Sequence, residues 1–208
     1  MEFSGKKVTV VGTGISGIGA VGLLNAVGAE VVLYDGNEKL KIEDIEKKLG
    51  TYKAEIVLGE LTKELTDSSD LLVISPGVPI DSPVVKAFEA AGVPVWGEVE
   101  LAYAFDKGKV LAITGTNGKT TTTALVGQIV GAYHKDTFVV GNIGNPYTTE
   151  VLKSNKDSYT VAEISSFQLE TVHEFHPLVS AILNITPDHL NRHYTMDCYV
   201  QTKEKIAM

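Results

Sequence analysis

The sequence predicts an α/β fold with two parallel sheets, one following the other along the chain. Short apolar runs rich in β-branched residues alternate with segments of helical periodicity, the pattern of strands and crossover helices in a parallel sheet. Two of these runs stop at a glycine-rich loop that opens a helix. With 208 residues, 44% of them hydrophobic, the chain can form one large domain or two small ones, each with a buried core.

The first half of the chain alternates strands and helices. The run KKVTVV at 6–11 ends at Gly12 as a buried parallel strand would, and apolar residues at helical spacing predict a helix over 16–27, with Gly28 at its C-cap. The further predicted elements are strands at 30–35, 54–59 and 70–77, a helix at 38–49 closed by Gly50, and a helix between Asp81 or Ser82 and Gly92 with Pro83 in its first turn.

A second cycle of elements begins near Trp96. It comprises a connecting helix at 97–105, strands at 110–115, 137–144, 159–165 and 180–190, and helices at 119–130 and 197–207. We therefore expect one domain over 1–97 and another over 98–208. The last helix has no cap or stop signal, so we expect the second domain to be incomplete.

Composition excludes several classes of protein. The formal charge of −8 is spread evenly along the chain, which disfavours nucleic-acid and polybasic membrane binding. Residues 8–29 are uncharged and follow two lysines, but their many glycines and polar residues argue against a membrane span or an export signal. A lone Cys198 excludes an internal disulfide and a Cys-rich zinc module, and fits the reducing cytoplasm.

The first glycine loop has the spacing of a nucleotide-binding turn. Gly12, Gly14 and Gly17 follow a strand and open a helix, and Asp35 ends the next strand. Glycines let a diphosphate approach the positive end of the helix, and the acid can accept hydrogen bonds from a sugar or base. There are two alternatives: a turn that needs glycine only for packing, and a nicotinamide-dependent oxidoreductase. Apart from this loop, no residue pattern in the sequence points to hydride chemistry.

The second loop, GTNGKT at 115–120, predicts a phosphate site. It lacks the first glycine of the general phosphate-loop string, where Ile113 stands, but keeps the GK[ST] core. Lys119 can reach outer phosphates and the Thr120 hydroxyl can bind Mg²⁺. Glu163, at the end of an apolar strand, is the candidate acidic ligand, and Asp188 and His189 follow another strand near the same edge. An exposed lysine in a tight turn is the alternative interpretation.

Several motifs together resemble the bacterial Mur ligases. They are GTNGKTT (115–121), GNIG (141–144), AEISSFQLE (162–170), LNITPDHLNRH (183–193) and YVQTKEKI (199–206). SSFQL, with SPGVP at 75–79, is similar to the branch that adds D-glutamate. The resemblance implies a Rossmann-like domain for the UDP-linked substrate, then an incomplete P-loop-type ATP-binding domain.

The resemblance also implies roles for individual residues. Substrate-binding positions would be Gly14, Ile15, Ser16, Asp35, Gly36, Gly77, Asn142, Ser165 and Gln168. ATP phosphates would be held by Gly115, Thr116, Asn117, Gly118, Lys119, Thr120 and Thr121. Thr120, Glu163, His189 and a carbamylated Lys203 would bind Mg²⁺, and the catalytic set would be Lys119, Glu163, His189 and Lys203.

The implied reaction is ATP-dependent amide formation in peptidoglycan synthesis. UDP-N-acetylmuramoyl-L-alanine is converted to an acyl phosphate, which D-glutamate then attacks. Relatives are longer chains that bind the amino acid with a C-terminal domain, so we expect this chain to be inactive alone and the full-length form to be a cytoplasmic monomer without nucleic-acid or membrane partners. A non-catalytic module that binds UDP-sugars or nucleotides is the alternative.

Overall fold

A computed structural model describes residues 2–208 and contains two all-parallel sheets flanked by helices. The strands within these residues are β1 (Lys7–Val11), β2 (Glu30–Asp35), β3 (Glu55–Leu58), β4 (Leu71–Ile74), β5 (Val95–Gly97), β6 (Lys109–Thr114), β7 (Thr137–Gly141), β8 (Tyr159–Glu163) and β9 (Val179–Ile182). The α/β class predicted from the sequence is confirmed.

The helices cover the faces of the sheets. They are α1 (Ile15–Ala26), α2 (Ile42–Leu49), α3 (Lys63–Ser68), α4 (Pro83–Ala90), α5 (Glu98–Tyr103), α6 (Lys119–Tyr133), α7 (Tyr147–Glu150), α8 (Ser166–Leu169), α9 (Leu190–His193) and α10 (Met196–Glu204), with 3₁₀ turns at Val151–Lys153 and Lys205–Ala207. None of the helices formed by residues 2–208 has both the length and the apolarity needed to cross a bilayer.

The first sheet has the strand order β3-β2-β1-β4-β5. Its central strands β1 and β4 are almost entirely buried, which explains why their sequences are continuous apolar runs. The chain leaves β1 toward one side of the sheet and β4 toward the other, so the loops that follow these two strands diverge. Parallel α/β sheets bind ligands at such a switch point.

The second sheet has the order β7-β8-β6-β9. Ile113 in β6 and Gly141 in β7 both pair with Glu163 in β8. The carboxyl ends of these parallel strands therefore meet at one edge. The register brings the predicted acidic ligand next to the start of the second glycine loop.

The two sheets are connected by helix packing and buried polar contacts. Helix α1 packs on α7, and a Cβ added to Gly19 would lie 2.6 Å from the Thr148 hydroxyl oxygen. Glu100 in α5 is buried and accepts backbone N–H groups of His173 and Glu174. These contacts bring the loop edges of the two sheets toward one another.

Some element boundaries were predicted wrongly. The helix expected from residue 38 begins at Ile42, because Asn37 donates to Asp35 and its side chain accepts from the Lys39 N–H, which holds a turn there. The strand expected over 180–190 ends at Ile182. The 197–207 helix becomes a 3₁₀ turn at Lys205–Ala207.

Several short elements were not predicted. They are β5, α3, α7, α8 and α9, which have too few residues to show a period.

Gly17 makes a close contact that predicts a large effect on stability. A Cβ at this position would lie 1.9 Å from the Gly12 carbonyl oxygen, so α1 and β1 could not keep their separation. We expect Gly17→Ala to lower the free energy of unfolding by about 3 kcal/mol or more. Gly14→Ala is the matched control: no atom lies within 4 Å of its added Cβ. Urea unfolding should show a loss within about 1 kcal/mol for that control; equal losses would contradict this account.

Candidate functional site

The second glycine loop presents a cluster of free N–H groups. It lies between β6 and the 15-residue helix α6, with Gly118 in the left-handed conformation at φ +82°. The N–H groups of residues 118–121 have no acceptor among the residues described. A helix N-terminus with unpaired N–H groups attracts anions, so this segment can hold a phosphate.

Asn184 fixes the shape of this loop. The Asn117 N–H donates to Asn184 Oδ1 at 2.9 Å, and Asn184 Nδ2 donates to the Asn117 carbonyl at 2.9 Å. The Thr116 N–H donates to the Asn184 carbonyl at 3.0 Å, and the Thr116 hydroxyl donates to the Thr186 carbonyl at 3.1 Å. The N–H groups of Thr116 and Asn117, both predicted to contact phosphate, therefore bind the segment after β9 instead.

Two lysines converge on the carbonyl of Gly115. Lys119 Nζ donates to it at 2.9 Å and to the Thr116 carbonyl at 3.0 Å. Lys203 Nζ, from α10, donates to it at 3.0 Å and to the Thr114 hydroxyl at 3.3 Å. Burial, with the Lys119 cation as a second cause, lowers the pKa of Lys203 to about 8. A large fraction of the Lys203 amine is thus neutral in mildly basic solution.

Glu163 is a buried acid with one unpartnered oxygen. Its Oε1 accepts from Asn142 Nδ2 at 2.8 Å, and the Asn142 N–H donates to the Glu163 carbonyl at 2.9 Å. Gly141, at φ +104°, permits this approach, since an added Cβ would lie 2.2 Å from the Glu163 carbonyl oxygen. Glu163 Oε2 has no hydrogen-bond partner, although the residue is 1% exposed. Asn142, predicted to bind substrate, thus also orients the acid.

His189 lies on the loop that follows β9, at the same sheet edge. It has a left-handed backbone at φ +53°, and its N–H donates to Asp188 Oδ1 at 2.8 Å. Its ring centroid is 4.8 Å from that of Phe167. Residues 2–208 contain no group of three or more His, Cys, Asp or Glu side chains arranged to hold a metal ion. A metal here would need ligands of other kinds as well.

In the first glycine loop, the backbone at Gly14 is uncovered, whereas the Asp35 carboxylate already accepts hydrogen bonds from the protein. Ile15, the first residue of α1, is 80% exposed. Asp35 accepts from the Thr13 hydroxyl at 3.0 Å and from the Asn37 N–H at 3.1 Å. The carboxylate therefore organises its own loop and keeps limited capacity for a ligand.

A cleft of about 490 Å³ lies between the loop edges of the two sheets. It is lined by Gly14, Ile15, Ser16, Ser75, Pro76, Gly77, Glu98, Gly141, Asn142, Gly144, Pro146 and Gln168. Most predicted substrate-binding residues thus line one cleft, whereas Asp35, Gly36 and Ser165 do not. Ser165 instead caps α8, where its hydroxyl accepts the Gln168 N–H at 3.2 Å. A second cleft of about 660 Å³ adjoins the first at Gly14 and Ile15.

Both halves of the chain match models of one protein family. Residues 6–97 match the model described as "Mur ligase MurD-like, N-terminal domain". Residues 113–208 match the "Mur ligase middle domain". The chain belongs to the Mur ligases. The resemblance inferred from the motifs is confirmed.

Three curated relatives that are similar to the chain over its full length share one name. The UDP-N-acetylmuramoylalanine--D-glutamate ligases of Lachnospira eligens and Lachnoclostridium phytofermentans are 72% and 59% identical to this Mur ligase chain over 100% of its length. That of Clostridioides difficile is 44% identical, also over 100% of the chain. In each case the match covers 46% of the relative. The chain spans about half the length of the curated relatives it matches.

Solved structures of other Mur ligases share the fold. The UDP-N-acetylmuramate:L-alanyl-gamma-D-glutamyl-meso-diaminopimelate ligase from Neisseria meningitides is similar with a TM-score of 0.60 and 17% identity, covering 98% of this chain and 68% of that one. A murein peptide ligase from Psychrobacter arcticus gives a TM-score of 0.54 and 17% identity, with 98% and 47% coverage. Such low identity supports the fold alone.

The residues of this Mur ligase fit a hard cation next to a phosphate. The buried Glu163 Oε2 lacks a partner, and the exposed Thr120 hydroxyl, in the first turn of α6, makes no hydrogen bond among the residues described. Carboxylate and hydroxyl oxygens are ligands that Mg²⁺ accepts. These two groups come from the end of β8 and from the first turn of α6, the helix that follows the neighbouring strand β6.

Sequence reasoning missed residues that act across the chain. Arg192 pairs with Glu170 and also donates to the Val78 carbonyl at 2.8 Å, which ties the segment after β9 to the first sheet. Asn184 and Glu98 were missed as well. Asn184 lies within a recognised motif, so a search for a partner of the loop could have found it, but no local signal identifies Glu98.

Proposed function

We propose that this chain forms two domains, 1–97 and 98–208, of an ATP-dependent ligase that joins D-glutamate to UDP-N-acetylmuramoyl-L-alanine in peptidoglycan synthesis. One observation carries the proposal. The free N–H groups of residues 118–121 and the unpartnered Glu163 Oε2 lie at the ends of the neighbouring strands β6 and β8. An anion site beside a carboxylate that lacks a counter-ion suits ATP accompanied by Mg²⁺.

The UDP-linked substrate is assigned to the cleft between the sheets. Its diphosphate would lie at the N-terminus of α1, where Gly14 leaves the backbone open to a close approach. The muramoyl-alanine part would extend toward Asn142 and Gln168. This direction leads from the first sheet to the loop edge of the second, so the reacting carboxylate would approach the ATP site.

Phosphoryl transfer would begin the reaction. The substrate carboxylate attacks the γ-phosphorus of ATP, the bond to the bridging oxygen breaks, and ADP leaves with that electron pair. The amine of D-glutamate then attacks the acyl phosphate, loses a proton and displaces inorganic phosphate. Lys119 and the N–H groups of residues 118–121 would stabilise the charge on the transferring group. Mg²⁺ held by Thr120 and Glu163, with His189 and Lys203 at a second ion, would reduce repulsion between the two anions.

Lys203 can take part as a carbamate. Its pKa of about 8 supplies neutral amine, which is the form that reacts with carbon dioxide. Carbamylation turns a cation into an anion, and an anion can face a metal where an ammonium group cannot.

We further propose a cytoplasmic location, where ATP and the UDP-linked precursor are available, and a monomeric full-length form.

The test joins residues 1–208 to the part of the Lachnospira eligens ligase that the match leaves uncovered. We expect the fusion to release phosphate and form amide in equal amounts only when ATP, D-glutamate and UDP-N-acetylmuramoyl-L-alanine are all present. Coupled phosphate release and mass spectrometry would measure both products. The intact Lachnospira eligens ligase is the control. If the folded fusion binds UDP compounds but never turns over, the chain is a binding module and the proposal is wrong.

A further inference from the structure

We propose that Asn184 is a positioning residue for the phosphates of ATP. Its side-chain amide sets the direction of the first free N–H group of the second glycine loop, that of Gly118, before any ligand arrives. This inference rests on the proposed function, because it concerns the same phosphate site. Asn184 itself belongs to none of the sets of residues that were predicted to bind substrate, nucleotide or metal.

The backbone of Asn184 is held against the neighbouring strand β6 and the loop that follows it. The Leu183 N–H donates to the Thr114 carbonyl at 3.0 Å, and the Asn184 carbonyl accepts the Thr116 N–H at 3.0 Å. Gly115 permits this approach, since an added Cβ would lie 3.2 Å from Leu183 Cβ and 3.3 Å from the Asn184 carbonyl oxygen. The side chain of Asn184 therefore extends from a backbone that is already fixed relative to the loop.

The side chain of Asn184 binds both backbone polar groups of Asn117. Its Oδ1 accepts the Asn117 N–H and its Nδ2 donates to the Asn117 carbonyl, each at 2.9 Å. The peptide bond between Asn117 and Gly118 is planar and trans, so its C=O and N–H point in opposite directions. Because the Asn117 carbonyl faces Asn184, the Gly118 N–H faces away from Asn184. Turning this peptide over would break the bond to Nδ2.

The Gly118 N–H is turned outward at the point where helix α6 begins. Gly118 is left-handed at φ +82°, and Lys119, which follows it, is the first helical residue. Consecutive residues with these two conformations form a concave nest of N–H groups that suits an anion. The Gly118 N–H has no acceptor among the residues described, so it is available to a phosphate oxygen. A donor that is fixed in advance binds more tightly, because less backbone entropy is lost when the ligand arrives.

Calorimetric titration of the 208-residue chain with ATP and with inorganic tripolyphosphate, both in the presence of Mg²⁺, tests the assignment. Asn184→Ala should raise the dissociation constants for both ligands by about tenfold, which corresponds to ordering one backbone residue on binding. Tripolyphosphate has no base or sugar, so an equal loss for the two ligands locates the effect at the phosphates. The affinity for UDP, which is assigned to the first glycine loop, should not change.

Asn25→Ala is the matched control. Near the C-terminal end of α1, the Asn25 side chain makes the same pair of hydrogen bonds with the backbone of Lys53: Nδ2 donates to the carbonyl at 2.9 Å, and Oδ1 accepts the N–H at 2.6 Å. This variant should leave the affinities for ATP and tripolyphosphate unchanged. If Asn184→Ala leaves them unchanged as well, the inference is overturned, whereas the ATP site of the proposed function stands.

Nuclear magnetic relaxation of the Gly118 amide gives a second readout, one that does not depend on the variant alone. In the nucleotide-free chain we expect an order parameter of about 0.85, the value of rigid backbone. Asn184→Ala should lower it to below about 0.6, and saturating ATP should restore it. A mobile Gly118 in the unmodified chain, or a rigid one in the variant, would overturn the inference. If the unmodified protein binds neither ATP nor tripolyphosphate, the proposed function fails at this site and the inference fails with it.

Discussion

Lys119→Ala should raise the dissociation constant for ATP by about a hundredfold or more. The ammonium group already lies within the loop, on the carbonyls of Gly115 and Thr116, next to the N–H groups of residues 118–121. It can therefore turn to the outer phosphates with little cost in ordering. Two charge-assisted hydrogen bonds of about 1.5 to 3 kcal/mol each are at stake. Calorimetric titration of the chain with ATP and Mg²⁺ measures the change.

Lys109→Ala is the control for this result. Lys109 begins β6, the strand that leads to the loop, but lies at its opposite end, where it contacts the Tyr159 ring and hydroxyl. The Lys109→Ala substitution removes the same charge about one strand length away from the loop, so the affinity for ATP should change by about twofold or less. If Lys119→Ala binds ATP as tightly as this control does, the loop does not hold the outer phosphates.

Both glycine loops could be predicted because their signals are local. Gly12 and Gly118 have φ values of +105° and +82°, which side chains rarely adopt, so the sequence needs glycine where the backbone turns from strand to helix. The strand before each loop is a short apolar run, and a parallel sheet aligns the ends of such runs at one edge. The position of Glu163 beside the second loop follows from the same rule.

The contacts that shape the site could not be predicted in this way. Asn184 clamps Asn117 from 67 positions away, and Glu98 meets Gln168 across 70 positions. Neither pair has a periodic or compositional signal, because the contact exists only after the sheets have formed. The helix α8 shows a different limit, since Ser165 and Gln168 form a capping box at its start but its four residues are too few to show a helical period.

The functions of Thr116 and Asn142 show how this limit affects a site prediction. Each belongs to a motif that was assigned to ligand binding, and each also forms hydrogen bonds with other residues of the protein. Thr116 binds Asn184 and Thr186, while Asn142 holds Glu163 through both its backbone and its side chain. A motif identifies the neighbourhood of a ligand, and the hydrogen bonds decide which atoms remain free to bind it.

Glu163→Gln should separate metal binding from stability. The variant amide oxygen can still accept from Asn142 Nδ2, so the orientation of the side chain is kept. Its NH₂ group replaces the unpartnered Oε2 and cannot bind a cation. We expect the Mg²⁺ concentration that gives half of the full ATP affinity to rise by about tenfold or more. The melting temperature should stay the same or increase, because a buried carboxylate oxygen without a partner destabilises the fold.

Measuring both the Mg²⁺ requirement and the melting temperature makes this test specific. ATP titrations at a series of Mg²⁺ concentrations give the Mg²⁺ requirement, and thermal unfolding without nucleotide gives the melting temperature. Glu174→Gln, at an exposed position away from the loop edge, removes the same charge and should alter neither. A lower melting temperature with an unchanged Mg²⁺ requirement would mean that Glu163 is a packing residue. A higher Mg²⁺ requirement in a protein that is no less stable would instead identify an oxygen kept unpaired for a cation.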